Sequence, residues 1–152
     1  MTRASPKALT LLMLLCMLPA LVQALEVEGA YLRELPPGQT TSAMYMTLRN
    51  TDDGTVQIVG ARVDAVDTAE IHEHRHEDGM MRMQRVEALD IAPGASVALA
   101  PGGYHLMLIK PKKPFKKGDT LTVTLHTAHG YSKAVNMEVK ERPSGEAHQH
   151  HQ

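Results

Sequence analysis

From about residue 26 onward the chain alternates between apolar and polar positions with a period of two. Met44, Met46 and Leu48 alternate with Tyr45, Thr47 and Arg49, and the same beat returns in Val97 and Leu99, in Leu121, Val123 and Leu125, and in Val135, Met137 and Val139. Successive side chains of a strand leave opposite faces, so each run predicts a strand with one face on a core. Asn50 to Gly54 and Pro101-Gly102-Gly103 supply turns between them. Val56 and Ile58 are followed out of phase by Val59, Ala61 and Val63, which predicts a bulge near Gly60. Eight or so strands at this spacing predict an all-β, antiparallel Greek-key β-sandwich or small barrel in a single domain. No long helix and no internal repeat is visible.

The two ends read differently. Residues 1–24 carry Arg3 and Lys7, an apolar run broken only by Thr10 and Pro19, and then Val22-Gln23-Ala24. This is the pattern of a secretory signal peptide cleaved after Ala24, and the run is too short for stable membrane insertion. Cys16 lies inside the run behind Leu15, where a lipoprotein signal would place a small residue, so lipidation is the weaker reading. Residues 141–152 are polar and carry His148, His150 and His151 near the end, the composition of a disordered tail that is either inert or a weak trap for Cu(II), Ni(II) or Zn(II). Residues 25–140 remain as the expected folded domain.

Removing the leader changes the chemistry more than the length. The mature chain has no cysteine, so an exported, periplasmic protein of this sequence has no disulfide, no thiol chemistry and no thiolate for a blue-copper centre. It keeps 14 basic against 17 acidic side chains, a slightly acidic balance that argues against nucleic acid or anionic lipid as partner.

Histidines and thioethers gather in two stretches. Residues 68–76 and 80–87 read as a hairpin around Asp78-Gly79, which sets His74 against Met83 and His76 against Met81. His72, His74, His76, Met81 and Met83 then share a face, with His72 and Met83 diagonal neighbours. In the second stretch His105 and Met107 are two apart and leave one face together. Imidazole and thioether donors suit Cu(I), whereas Mg, Ca and Mn prefer oxygen. Such ligands are neutral at pH 7 and hold the ion less firmly than thiolates, which suits a site that gives its metal away.

The separations of four of these residues carry a resemblance. His72-x10-Met83-x21-His105-x-Met107, with Ile71-His72-Glu73, Met81-Arg82-Met83 and Gly103-Tyr104-His105-Leu106-Met107 around it, resembles the periplasmic copper chaperone PCu(A)C family. The likeness runs over residues 27–139 and includes Tyr45-Met46-Thr47-Leu48-Arg49-Asn50. It implies a cupredoxin-like barrel that binds one Cu(I) through His72, Met83, His105 and Met107. It also implies delivery to a copper-accepting protein of cytochrome c oxidase assembly or to a partner chaperone. His74, His76 and the His-rich tail depart from that pattern and leave open a secondary site for Cu(II).

A surface His or a core Met is ordinarily structural. The joint spacing lifts only His72, Met83, His105 and Met107 above that rule. Met44, Met46 and Met137 read as core, Met81 as packing beside the site, and His126 and His129 as solvated. Lys110 to Lys117 make a basic loop. Three functions compete: a monomeric copper chaperone, a copper-sequestering protein using the same site with the extra histidines, and an enzyme or electron carrier. The last is weakest, since no nucleophile motif or acid–base pair is present.

Overall fold

The computed structural model describes residues 25–141. The expected signal peptide, Cys16 and the histidines of the tail lie outside the described residues. Ten strands follow in order: β1 (Leu25–Arg33), β2 (Thr41–Asn50), β3 (Val56–Arg62), β4 (Val66–Glu77), β5 (Met80–Arg85), β6 (Leu89–Ile91), β7 (Ser96–Leu99), β8 (Tyr104–Pro111), β9 (Thr120–Thr127) and β10 (Ser132–Lys140). The count exceeds the eight or so expected because β6 has only three residues, too few for a period of two to register.

The strands hydrogen-bond in the order β5-β4-β8-β7-β2-β1-β10-β9-β3-β6, with further pairings β8–β2 and β4–β3. Following β4, β8, β2, β1, β10, β9 and β3 back to β4 therefore closes a barrel. The closing seam is narrow, a single pairing of Ala61 with Ala69. Most neighbours are antiparallel, but β1 runs parallel to β10 and β7 parallel to β8. The expected slip near Gly60 is present as a register shift between Ile58 and Gly60 where β3 meets β9.

The interior is filled by the apolar beat of the sequence. Met44, Met46, Leu48, Leu106, Leu108, Val123, Leu125, Met137 and Val139 are all buried in one cluster. The basic loop after β8 is tied down rather than free, because Phe115 is buried and pairs with Leu35 across an isolated bridge. β5 differs from every other strand in being exposed along its whole length at the edge of the sheet.

Asn50 ends β2 inside the fold. Its Nδ2 donates to the carbonyls of Gly54 at 2.7 Å and Ile91 at 2.9 Å, and its Oδ1 accepts from the Asp52 amide at 2.8 Å. One side chain therefore joins the β2–β3 turn to β6. Asn50→Ala leaves the buried Ile91 carbonyl without this donor and is expected to lower the unfolding free energy by about 1–3 kcal/mol in a urea titration.

Candidate metal centre

The hairpin that presents the first two candidate ligands is built by its turn. Asp78 and Gly79 both adopt positive φ, 52° and 76°, as a two-residue type I′ connection requires. This fixes the register: Glu77 pairs with Met80, His76 with Met81 and His74 with Met83, while His72 faces Arg85. Both expected pairings, His74 with Met83 and His76 with Met81, are found, and Met83 lies diagonal to His72 on the same face.

The other side of β4 pairs with β8, setting His72 opposite His105 and Glu70 opposite Met107. Cross-strand partners share a face, so Glu70, His72, His74, Met83, His105 and Met107 lie together. Ile71, Leu106 and Leu108, which alternate with them, are core residues. The candidate ligands therefore sit on the outer wall of the barrel. On that wall Met83, His105, Met107 and His74 line a cavity of about 180 Å³, completed by Arg33, Ala43 and Tyr45 among others. A larger hollow of about 390 Å³ beside Asp64 and Lys112 has no imidazole or thioether in its lining.

Burial grades across the site. His105 is only 4% exposed although it is on the outer wall, whereas Met83 is 49% exposed. The His105 ring lies 6.0 Å from that of His72 and stacks on that of His74 at 4.8 Å. Its Nδ1 bonds the Gly103 carbonyl at 3.2 Å. A carbonyl only accepts, so Nδ1 carries the hydrogen and Nε2 keeps a lone pair. His72 is oriented by a carboxylate: Nε2 bonds Glu70 Oε2 at 2.9 Å, and Glu70 is held in turn by Arg85 at 3.4 Å. Nε2 is then the donor, which leaves the lone pair of His72 on Nδ1. A carboxylate or carbonyl behind an imidazole is the outer support that metal-bound histidines ordinarily have.

The Nδ1 atoms of His72 and His74 are both buried without a hydrogen-bond partner. A buried polar atom left unmade is costly and needs a reason. Among the described residues no three His, Cys, Asp or Glu side chains converge to hold a metal, so a metal here would draw on the thioethers. Glu70, the Gly103 carbonyl and the Arg33–Tyr45 side of the cavity were not apparent from the sequence. Glu70 carries one usable signal, an acidic residue two before His72 and so on its face; the β2 contribution depends on a register no local pattern shows.

Fold and cavity together define a cupredoxin-like domain with an outward-facing His/Met cluster. The family described as "Putative lipoprotein LpqE-like" matches residues 25–139, and the chain belongs to it, the PCuAC family. The "Putative lipoprotein Lxx21020" of Leifsonia xyli is 32% identical over 117 residues, which cover 76% of this chain and 69% of that protein. Among solved structures, the Cu(I) form of DR1885 from Deinococcus radiodurans is 35% identical with a TM-score of 0.62, covering 78% of this chain and 81% of that one. The apo PCuAC domain from PmoF1, 23% identical with a TM-score of 0.66, covers 78% and 95% and supports the fold. Among the described residues no helix is long and apolar enough to cross a membrane.

Burial, and then the neighbouring His74, His72 and Arg33, pushes the His105 imidazole below its ordinary value of 6.5, against a smaller opposing pull from the Gly103 carbonyl. The unfolded chain keeps the ordinary value and takes up its proton first as pH falls, so acid favours unfolding. The apo protein is expected to lose stability as pH drops below about 6.5, and His105→Gln to flatten that loss in denaturant titrations at pH 7.5 and 5.5.

Proposed function

We propose that this protein is an exported copper chaperone that binds one Cu(I) through His72, Met83, His105 and Met107 and passes it to a copper-accepting protein of cytochrome c oxidase assembly. Its organisation follows: a leader over residues 1–24, the carrier domain over 25–140 and a His-rich tail over 141–152. The observation that carries the reading is the convergence of Met83, His105 and Met107 on one cavity with His72 opposite His105. Family membership and the likeness to a Cu(I)-bound relative support copper as the cargo.

The chemistry favours carriage over retention. Two imidazoles and two thioethers bring no charge of their own, so the bound ion keeps its positive charge. Met83 is the exposed ligand and His105 the buried one. An acceptor can thus displace the thioether at the rim first while His105 and Met107 still hold the ion. That order makes release a stepwise ligand exchange with no free copper. Delivery to an oxidase centre is the partner reading that the family likeness favours, and the domain acts as a monomer.

A second reading, copper sequestration, draws on the additional imidazole of His74 beside the same cavity. A holo protein that fails to load any copper acceptor would favour it.

Anaerobic titration with Cu(I) against a chromophoric chelator is expected to give one tight equivalent. The Met83→Ala, Met107→Ala double variant is expected to weaken it by about a hundredfold or more, two ligands at about tenfold each. Equal binding by the two proteins would remove both thioethers from the site.

A further inference from the structure

We infer that His74 is a second nitrogen ligand of the same copper, alternating with His72 while His105, Met83 and Met107 are shared. The inference deepens the proposed function and rests on it. Three features of the wall set His74 apart from His72, and a fourth is common to both. It is His74, with Met83, His105 and Met107, that lines the cavity. His74 is the direct cross-strand partner of Met83, whereas His72 faces Arg85 and reaches Met83 only on the diagonal.

The His105 ring gives the third. Directly opposed residues are ordinarily the nearest across a pair of strands, yet His105 lies 6.0 Å from His72, its register partner, and 4.8 Å from His74. The Nδ1 bond to the Gly103 carbonyl accounts for this, because Gly103 accepts from the His74 amide at 3.3 Å and so draws the ring toward the His74 end. The fourth, which His74 shares with His72, is a buried Nδ1 without a hydrogen-bond partner. His72 meanwhile is engaged by Glu70, itself paired with Arg85.

Two sets of one imidazole pair and one thioether pair therefore overlap on three members. The inner set uses His72, supported by its carboxylate; the outer set uses His74, one step along β4 toward the exposed tip of the hairpin. Exchanging one imidazole for the other moves the ion outward by part of the ~7 Å between alternate residues of a strand without losing His105. No electron is transferred and no bond other than the two copper–nitrogen bonds changes.

The test uses the exported chain and Cu(I). His74→Phe keeps a ring over His105 and removes both nitrogens, so a purely structural role of the stack survives it. His72→Gln is expected to retain one equivalent of Cu(I) with affinity reduced about tenfold, and His72→Gln with His74→Phe to lose at least a further tenfold. On loading the wild type with Cu(I), the imidazole nitrogen resonances of His74 are expected to move, and copper release from His74→Phe to a competing chelator to slow. The inference is overturned if the double variant binds as His72→Gln does and the His74 nitrogens stay in place. The underlying reading fails separately, and takes this one with it, if the wild type and the Met83→Ala, Met107→Ala variant bind Cu(I) alike.

Discussion

The pairing of β4 with β8 is the constraint on which the site depends. It sets His72 against His105 and Glu70 against Met107. A slip of one residue would carry every one of these side chains to the opposite face and bring Ile71 and Leu106 to the outside. The slip is blocked by the barrel itself, since Ile71, Leu106 and Leu108 belong to the core. The apolar residues that hold the fold together thus also set which imidazoles and thioethers meet.

On that frame two of the proposed donors, His72 and His105, are oriented by their hydrogen-bond partners. Glu70 and the Gly103 carbonyl each take the hydrogen of one imidazole and fix where its lone pair stands. Burial holds the His105 pKa below its ordinary value, so its neutral form persists into mild acid. The thioethers do not titrate, and Met83 leaves one side of the arrangement open. The cluster is therefore firm at its base on β8 and accessible at its rim on β5.

Much of this was legible in the sequence, for local reasons. The hairpin register followed from Asp78-Gly79, the core faces from strict alternation, and the bulge at Gly60 from a lost phase. His72, Met83, His105 and Met107 were marked by a family resemblance carried by their spacing and flanking residues, and the fold brings three of them to one cavity with His72 paired to His105. What was not legible is long-range. The three-residue β6 shows no period, the burial of Phe115 against Leu35 joins residues 80 positions apart, and the place of Arg33 and Tyr45 at the cavity follows from how β1 and β2 close the barrel. His74 was placed on the correct face, but its approach to His105 depends on a hydrogen bond to Gly103 that no pattern of residue types encodes.

The outer position of the cluster has an evolutionary consequence. None of the residues that line the cavity from β4, β5 and β8 contributes to the apolar cluster inside the barrel. If this wall holds copper as proposed, substitutions among them would change which ion is held, and how loosely, while most of the free energy that keeps the chain folded is untouched. The two properties can drift apart. On the proposed reading, a lineage could retune metal preference on this wall in small steps, each passing through a folded protein, in a way that a ligand set buried between the sheets would not allow.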